Sequence, residues 1–330
     1  MTIALLTGAS GFIAGHVLKI LLEKGYTVRA TVRSTSKADY LKTLYPADAK
    51  LSFAIVEDIA APNAFDEAVK GVDVIVHTAS PFHFKITDPV KDLLDPAIKG
   101  TTSILQAAKN FAPQVKRIVI TSSFAALIDA SKGDWPEHTY SEADWNPVTW
   151  EEAIGNNPST NYRASKTFAE KAAWDFLEKE KPNFTITTIN PPLVWGPMVH
   201  DVTPETVNTS NANIWTLVNG SQASVPPAHV PAWVDVRNVA EAHVNALETS
   251  KAENQRYFIV AGKFTYKEIS DIVLKNFPEL NGKVPTEGAI STKKVYDVDN
   301  SKSKADLGIQ YISLEQSVID LTKQLVNWVK

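Results

Sequence analysis

Six short runs of apolar, largely β-branched residues punctuate the first 190 positions: Thr2–Thr7, Thr27–Val32, Leu51–Val56, Val72–His77, Arg117–Thr121 and Phe184–Asn190. Each is too short for a helix and too uniformly apolar for a strand with one wet face. They read as strands buried on both sides. Helical spacing fills the gaps. Between the first two runs, Ile13, Val17, Ile20 and Leu21 share one face, and Gly25 stands where a helix commonly ends on glycine. Strands alternating with helices predict a doubly wound parallel sheet. After Asn190 the texture changes, with Pro191, Pro192, Pro197 and Pro204 crowding the chain. A helical pattern returns at Asp235–Glu248 and an apolar run at Tyr257–Val260, and both are assigned back to the sheet. The expected division is 1–190 plus 235–262 for the sheet domain and 191–234 plus 263–330 for a smaller lobe. Such a lobe would lie over the sheet's carboxyl edge and wall a ligand cleft there. No internal repeat or low-complexity segment interrupts this plan.

Composition narrows the chemistry. The chain has 330 residues, 44% hydrophobic and 21% charged, an ordinary globular balance. With a net charge of -4, nothing calls for nucleic acid or an anionic membrane as partner. No cysteine is present, which excludes disulfides, thiolate catalysis and cysteine-ligated metals. The seven histidines show no ligand spacing, so no metal is expected, and His77 reads as packing or a backbone hydrogen bond. Met1 runs straight into the first strand without a basic leader, and no apolar run reaches the roughly 18 residues of a membrane span. A cytoplasmic protein, monomer or homodimer, is the expectation, and the sequons at Asn183 and Asn208 then carry no weight.

The first strand leads into Thr7-Gly8-Ala9-Ser10-Gly11-Phe12-Ile13-Ala14-Gly15 and then a helix. Glycines at a first βα turn let the backbone approach a pyrophosphate, which the helix N-terminus attracts. The turn is expected to bind a dinucleotide through Gly8, Ser10, Gly11, Phe12 and Ile13. The second strand selects which one. An NAD enzyme places an acid at its end for the ribose 2′-hydroxyl. Here the end reads Arg33-Ser34-Thr35-Ser36-Lys37, so Arg33 and Lys37 are expected to meet a 2′-phosphate, favouring NADPH/NADP+.

Carbonyl reduction needs a proton donor beside the substrate oxygen, and Tyr162-Arg163-Ala164-Ser165-Lys166 places tyrosine and lysine on one helical face. Alone the spacing carries little weight, since nine tyrosines in a chain with 27 lysines should yield about 0.7 matches by chance. Its neighbours add weight: it opens a helical pattern (Ala164 to Leu177), and the preceding strand ends in Thr121-Ser122-Ser123-Phe124. Ser123 is the candidate to hold the substrate oxygen, with Ser122 the alternative.

The glycine turn, the serine pair and Y-x-x-x-K, in this order, resemble the short-chain dehydrogenase/reductase family over essentially the whole length. Asn190–Pro197 and Trp233–His243 resemble its extended branch, although Ala14 stands where that branch usually has a third glycine. Val28–Arg33 and Thr78–Phe82 resemble the dihydroflavonol 4-reductase-like group. Thr121–Ala126, Glu170–Trp174 and Ile86–Asp88 resemble the yeast NADPH-dependent methylglyoxal/isovaleraldehyde reductases. The resemblance implies a Rossmann-type fold with a C-terminal substrate lobe. It also implies Tyr162 as proton donor, Lys166 lowering its pKa and bonding the nicotinamide ribose, and Ser123 orienting the carbonyl. Asp58 and Ile59 would contact adenine. Thr78, Ala79, Ser80 and Thr121 would lie under the cofactor, Pro191 to Val194 beside the nicotinamide, and Ser210 near the pyrophosphate.

Phe82, Phe84, Phe124, Ile128, Leu193, Val194 and Trp215 are candidates to line an apolar pocket for hydrophobic aldehydes and ketones, α-dicarbonyls included. Two other functions remain open on this scaffold. A nucleotide-sugar epimerase or dehydratase would favour an acid where Arg33 stands. A non-catalytic NADPH sensor usually lacks the tyrosine or lysine, and both are present.

Overall fold

The computed structural model describes residues 2–45, 50–80, 87–200, 202–288 and 294–329. The chain opens β1 (Ile3–Thr7), α1 (Phe12–Glu23), β2 (Thr27–Val32), α2 (Thr35–Leu44), β3 (Leu51–Ile55), β4 (Val74–His77), α3 (Asp95–Phe111) and β5 (Arg117–Thr121). It continues through β6 (Thr139–Tyr140), α4 (Trp150–Ala153), α5 (Pro158–Glu180), β7 (Thr185–Asn190), β8 (Leu193–Trp195), α6 (Thr209–Val218), β9 (Ala232–Asp235) and α7 (Val236–Glu248). Then follow β10 (Gln255–Phe258), β11 (Gly262–Lys263), α8 (Tyr266–Asn276), β12 (Asp297–Val298), α9 (Ser301–Leu307) and α10 (Leu314–Leu325).

Seven strands form one sheet in the order β10-β7-β5-β4-β1-β2-β3, every neighbouring pair parallel. Their residues alternate between two dry faces, as a period of two demands. Ala4 and Leu6 pack with Val17, Leu18 and Leu21 of α1 and with Val239 of α7. Leu5, between them, faces Ile104 and Leu105 of α3 and Phe176 of α5. Helices on both faces explain the unbroken apolar runs. Strand order reverses between β1 and β4, and the crevice outside their carboxyl ends is where such sheets bind ligands.

Local signals account for the helix ends. Gly25, at φ +86°, follows α1; its N–H bonds Leu22 O and that of Tyr26 bonds Leu21 O, a complete Schellman stop. Asn157 caps α5 by accepting from Ser159 and Thr160 N–H, with Pro158 in the first helical position. The helix was expected from Ala164, so Tyr162 sits inside it rather than at its start. The polar first turn, Ser159 to Asn161, hides the apolar periodicity there.

A separate core lies under the remaining elements, where Trp195, Ile214, Leu217, Phe264, Ile269, Val318 and Leu321 cluster. Arg237 links α7 to α10: its guanidinium pairs with Asp235 at the head of α7 and with Asp320 of α10, each at 2.8 Å. Among the described residues no helix is long and apolar enough to cross a membrane.

Three histidines are sealed in this frame. Burial lowers His16 and His243 to about 4 and His77 to about 3, Lys166 adding to the effect at His77. Folded, these rings are neutral, whereas unfolded rings ionise near pH 6.5. The unfolded chain then binds more protons in acid, so this contribution is intact above pH 6.5 and is lost as pH falls towards 4. Urea titrations at pH 7 and pH 4.5 should show stability falling, by up to about 2 kcal/mol per ring. Unchanged midpoints would show the rings to be accessible.

Candidate active site

The β1–α1 turn is built for close approach. Gly8 has φ +67°, and a Cβ there would come within 3.0 Å of Ala79 Cα, so the ends of β1 and β4 can meet only over glycine. Gly8 N donates to Thr31 Oγ1 at 3.1 Å, and Gly11 N to Gly8 O at 2.9 Å. Gly11 is the N-cap of α1 and supplies no side-chain acceptor, leaving the amides of the first turn to an outside anion. Ser10, Phe12 and Ile13 lie on this turn. Arg33, just after β2, and Lys37, in the first turn of α2, are both exposed, and neither pairs with an acid among the described residues. An uncapped helix start and two uncommitted cations fit a dinucleotide carrying an extra phosphate.

Thr7 braces the floor. Its hydroxyl accepts from Thr78 and Ala79 N–H, each at 3.1 Å, which directs its own proton to His77 Nδ1 at 2.9 Å. His77 was expected to pack or to bond backbone; it is buried and packs edge-on against Phe65, and the neighbouring strand adds a hydroxyl. Thr78 Oγ1 donates to Thr7 O. Asp58 is exposed and accepts from Ala60 N–H at 2.8 Å, while Ile59 leans on Gly100 of α3.

On α5, Tyr162 and Lys166 keep only part of their surface exposed. Burial raises the Tyr162 hydroxyl above the usual phenol value, and a hydrogen bond from Ser123 works in the opposite direction. Lys166 donates to Ser80 Oγ at 2.9 Å, and burial lowers its ammonium to about 8. Ser123 is thus a group that acts to lower Tyr162. Ser123 Oγ also accepts from Ala125 N–H at 3.1 Å. The hydroxyl of Ser122 points elsewhere, donating to buried Glu170. Geometry therefore separates the two serine candidates.

Beyond this centre, Phe124 N donates to Pro191 O at 2.9 Å and Val194 N to Ser210 Oγ at 3.3 Å, so the β7–β8 connection lies beside the Ser123 turn and the start of α6. The Thr121 hydroxyl is turned to His243 Nε2 of α7, 2.6 Å away.

Of the pocket candidates, Phe124 and Ile128 are buried in the core, whereas Leu193 and Trp215 keep part of their surface exposed. Phe124 is 2% exposed and stacks on Phe258 at 4.8 Å; Ile128 joins the same cluster with Tyr140 and Tyr296. The tight turn at Phe124–Ala126 folds these side chains back into the core. Trp215 packs edge-on against Trp328 at 5.5 Å, and Leu193 lies against the lobe core. Phe82 and Phe84 fall outside the described residues. Sequence reasoning missed Thr7, Glu170, Asn190 and Arg256. For Glu170 a signal existed, an acid one helical turn beyond Lys166 on the same face. Among the described residues no group of three or more potential ligands could hold a metal ion.

The chain belongs to the 3-beta hydroxysteroid dehydrogenase/isomerase family, of the extended short-chain dehydrogenase/reductases, whose model matches residues 5–286. The resemblance read from its motifs is borne out. It is 45% identical to the ketoreductase azaE of Aspergillus niger, over 98% of this chain and 97% of that protein. It is 36% identical to the NADPH-dependent methylglyoxal reductase GRE2 of Saccharomyces cerevisiae, over 98% and 97%. Gre2 of Candida albicans, solved in complex with NADPH, superposes with a TM-score of 0.93 at 41% identity, each chain covered completely.

Proposed function

We propose that this protein reduces aldehydes and ketones, α-dicarbonyls included, to alcohols at the expense of NADPH. The observation that carries the reading is the hydrogen-bonded pair Ser123–Tyr162, with Lys166 one turn along the same helix and the uncapped glycine turn at the crevice. Bound NADPH supplies the hydride that the carbonyl carbon takes up. Tyr162 Oη gives its proton to the carbonyl oxygen as the C=O bond becomes C–OH. Ser123 holds that oxygen, and Lys166, charged below pH 8, offsets the negative charge left on Tyr162. Gly8 to Ile13 receive the pyrophosphate and Arg33 with Lys37 the 2′-phosphate. Asp58 and Ile59 flank adenine, Thr78 to Ser80 and Thr121 underlie the ribose side, and Pro191 with Val194 borders the nicotinamide.

The substrate cleft lies between 1–190 plus 235–262 and the lobe formed by 191–234 plus 263–330. The separate core under Trp195 and Phe264 supports that division. The molecule acts in the cytoplasm on small hydrophobic carbonyl compounds, as a monomer or homodimer, without nucleic acid or membrane.

Two experiments test this. Deuterium at the transferable C4 position of NADPH should appear on the carbinol carbon of the product; an unlabelled alcohol would contradict direct hydride transfer. Arg33→Asp should weaken NADPH relative to NADH by at least roughly tenfold, or about 1.4 kcal/mol. An unchanged preference in competitive binding would remove the role given to Arg33.

A further inference from the structure

Glu170 follows Tyr162 and Lys166 along one face of α5, eight and four residues further on. It is 2% exposed and gathers five donors. Its Oε2 accepts from Ser122 Oγ and from Asn190 Nδ2 at 2.6 Å. Its Oε1 accepts from Arg256 Nε at 2.6 Å, Thr188 Oγ1 at 3.1 Å and Trp174 Nε1 at 3.3 Å. Such a donor set suits a carboxylate and nothing neutral of the same shape. Arg256 is anchored in turn: Nη1 donates to Glu142 O and Asp144 O, each at 2.6 Å, and its guanidinium lies 3.6 Å from the Trp145 ring centroid.

One side chain thereby ties the helix bearing Tyr162 to the ends of β5 and β7 and to β10. Asn190 extends the tie, since its Nδ2 also approaches Ser123 O at 3.3 Å. Glu170 and Lys166 further share the walls of one small cavity of about 20 Å³ with His77, Ser80 and Ser122. Well-packed apolar side chains often match or exceed the stability of a buried ion pair, so stability alone does not explain this one. What the pair orders is the distance between α5 and the serine turn.

We propose that Glu170, backed by Arg256, is the positioning residue of the reduction, holding the Ser122–Ser123 turn against α5 so that Ser123 stays hydrogen-bonded to Tyr162. The proposal rests on the carbonyl-reductase reading. Glu170 itself touches neither substrate nor cofactor; it acts through Ser122 and Asn190. Near-attack geometry is steep enough that a shift of about 1 Å can cost roughly 100-fold in rate.

The test compares wild type, Glu170→Gln, Ser122→Ala and the double variant in single-turnover oxidation of bound NADPH, normalised to folded protein by circular dichroism. Glu170→Gln places an amide donor against existing donors, and the single-turnover rate should fall roughly 10- to 100-fold with the NADPH Kd and carbonyl KM within about threefold. Ser122→Ala, a small change that spares the charge pair, should lose roughly tenfold if it breaks the same tie. The double variant should be no slower than the worse single one, because both act through one contact. Full single-turnover rates in both single variants, with only the melting temperature lowered, would reduce Glu170 to a core ion pair. Multiplying losses in the double variant would equally overturn the proposal, and should Glu170→Gln fail to fold, a full rate in Ser122→Ala decides against it. A wild type that oxidises no NADPH would instead defeat the reductase reading itself.

Discussion

Tyr162→Phe is expected to lower kcat by roughly 10²- to 10⁴-fold, the range a positioned general acid supplies. NADPH affinity should stay within about threefold, because the glycine turn, Arg33 after β2 and Lys37 in α2 lie elsewhere. Phenylalanine fills the space of the ring on α5 and removes only the hydroxyl bonded to Ser123. Burial already holds that phenol protonated at neutral pH, which suits a donor poised before each reduction. Steady-state rates together with NADPH binding by fluorescence separate the two effects. A variant retaining more than about a tenth of the wild-type kcat would move the proton donor elsewhere.

Lys166→Met should show an opposite pair of effects, losing most of its turnover yet becoming more stable without cofactor. Burial lowers the lysine to about 8, whereas an unfolded lysine titrates near 10.4. The unfolded chain therefore binds the proton more tightly, and at pH 7 the fold carries the full cost of a sheltered ammonium. That cost diminishes as pH rises through 8 and is gone above about 10.4. With cleft water and the bond to Ser80 offsetting part of it, removing the charge should stabilise the cofactor-free chain by on the order of 2 kcal/mol at pH 7. Urea unfolding at pH 7 and pH 9.5 reads the sign directly, since the gain must shrink at the higher pH. A destabilised variant would mean that Lys166 has ionic partners in the cofactor-free chain.

The parts of this arrangement legible in the sequence are those set by local rules. β2 and β5 run between the residues at which their apolar patterns begin and end, and Gly25 stops α1 as its φ requires. The parallel sheet followed from apolar runs with no polar alternation, because both faces are covered. What stayed hidden is non-local. Glu170 takes its partners from 48 and 86 positions away, at Ser122 and Arg256, and no spacing rule reaches so far. Phe124 misled for the opposite reason: next to a serine at a strand end, an aromatic suggests a pocket wall, but the turn after Ser123 sends it inward against Phe258. Ser122 and Ser123 look equivalent in one dimension and become distinct only when α5 presents Glu170 to one and Tyr162 to the other.

The most direct test of the central claim is the steady-state oxidation of NADPH and of NADH, run in parallel against short aldehydes, α-dicarbonyls and aryl ketones. Loss of reduced-nicotinamide absorbance that depends on the carbonyl compound, at least roughly tenfold faster at equal concentration with NADPH, is the predicted result. No turnover with either cofactor while NADPH binds, or an equal rate with NADH, would contradict it.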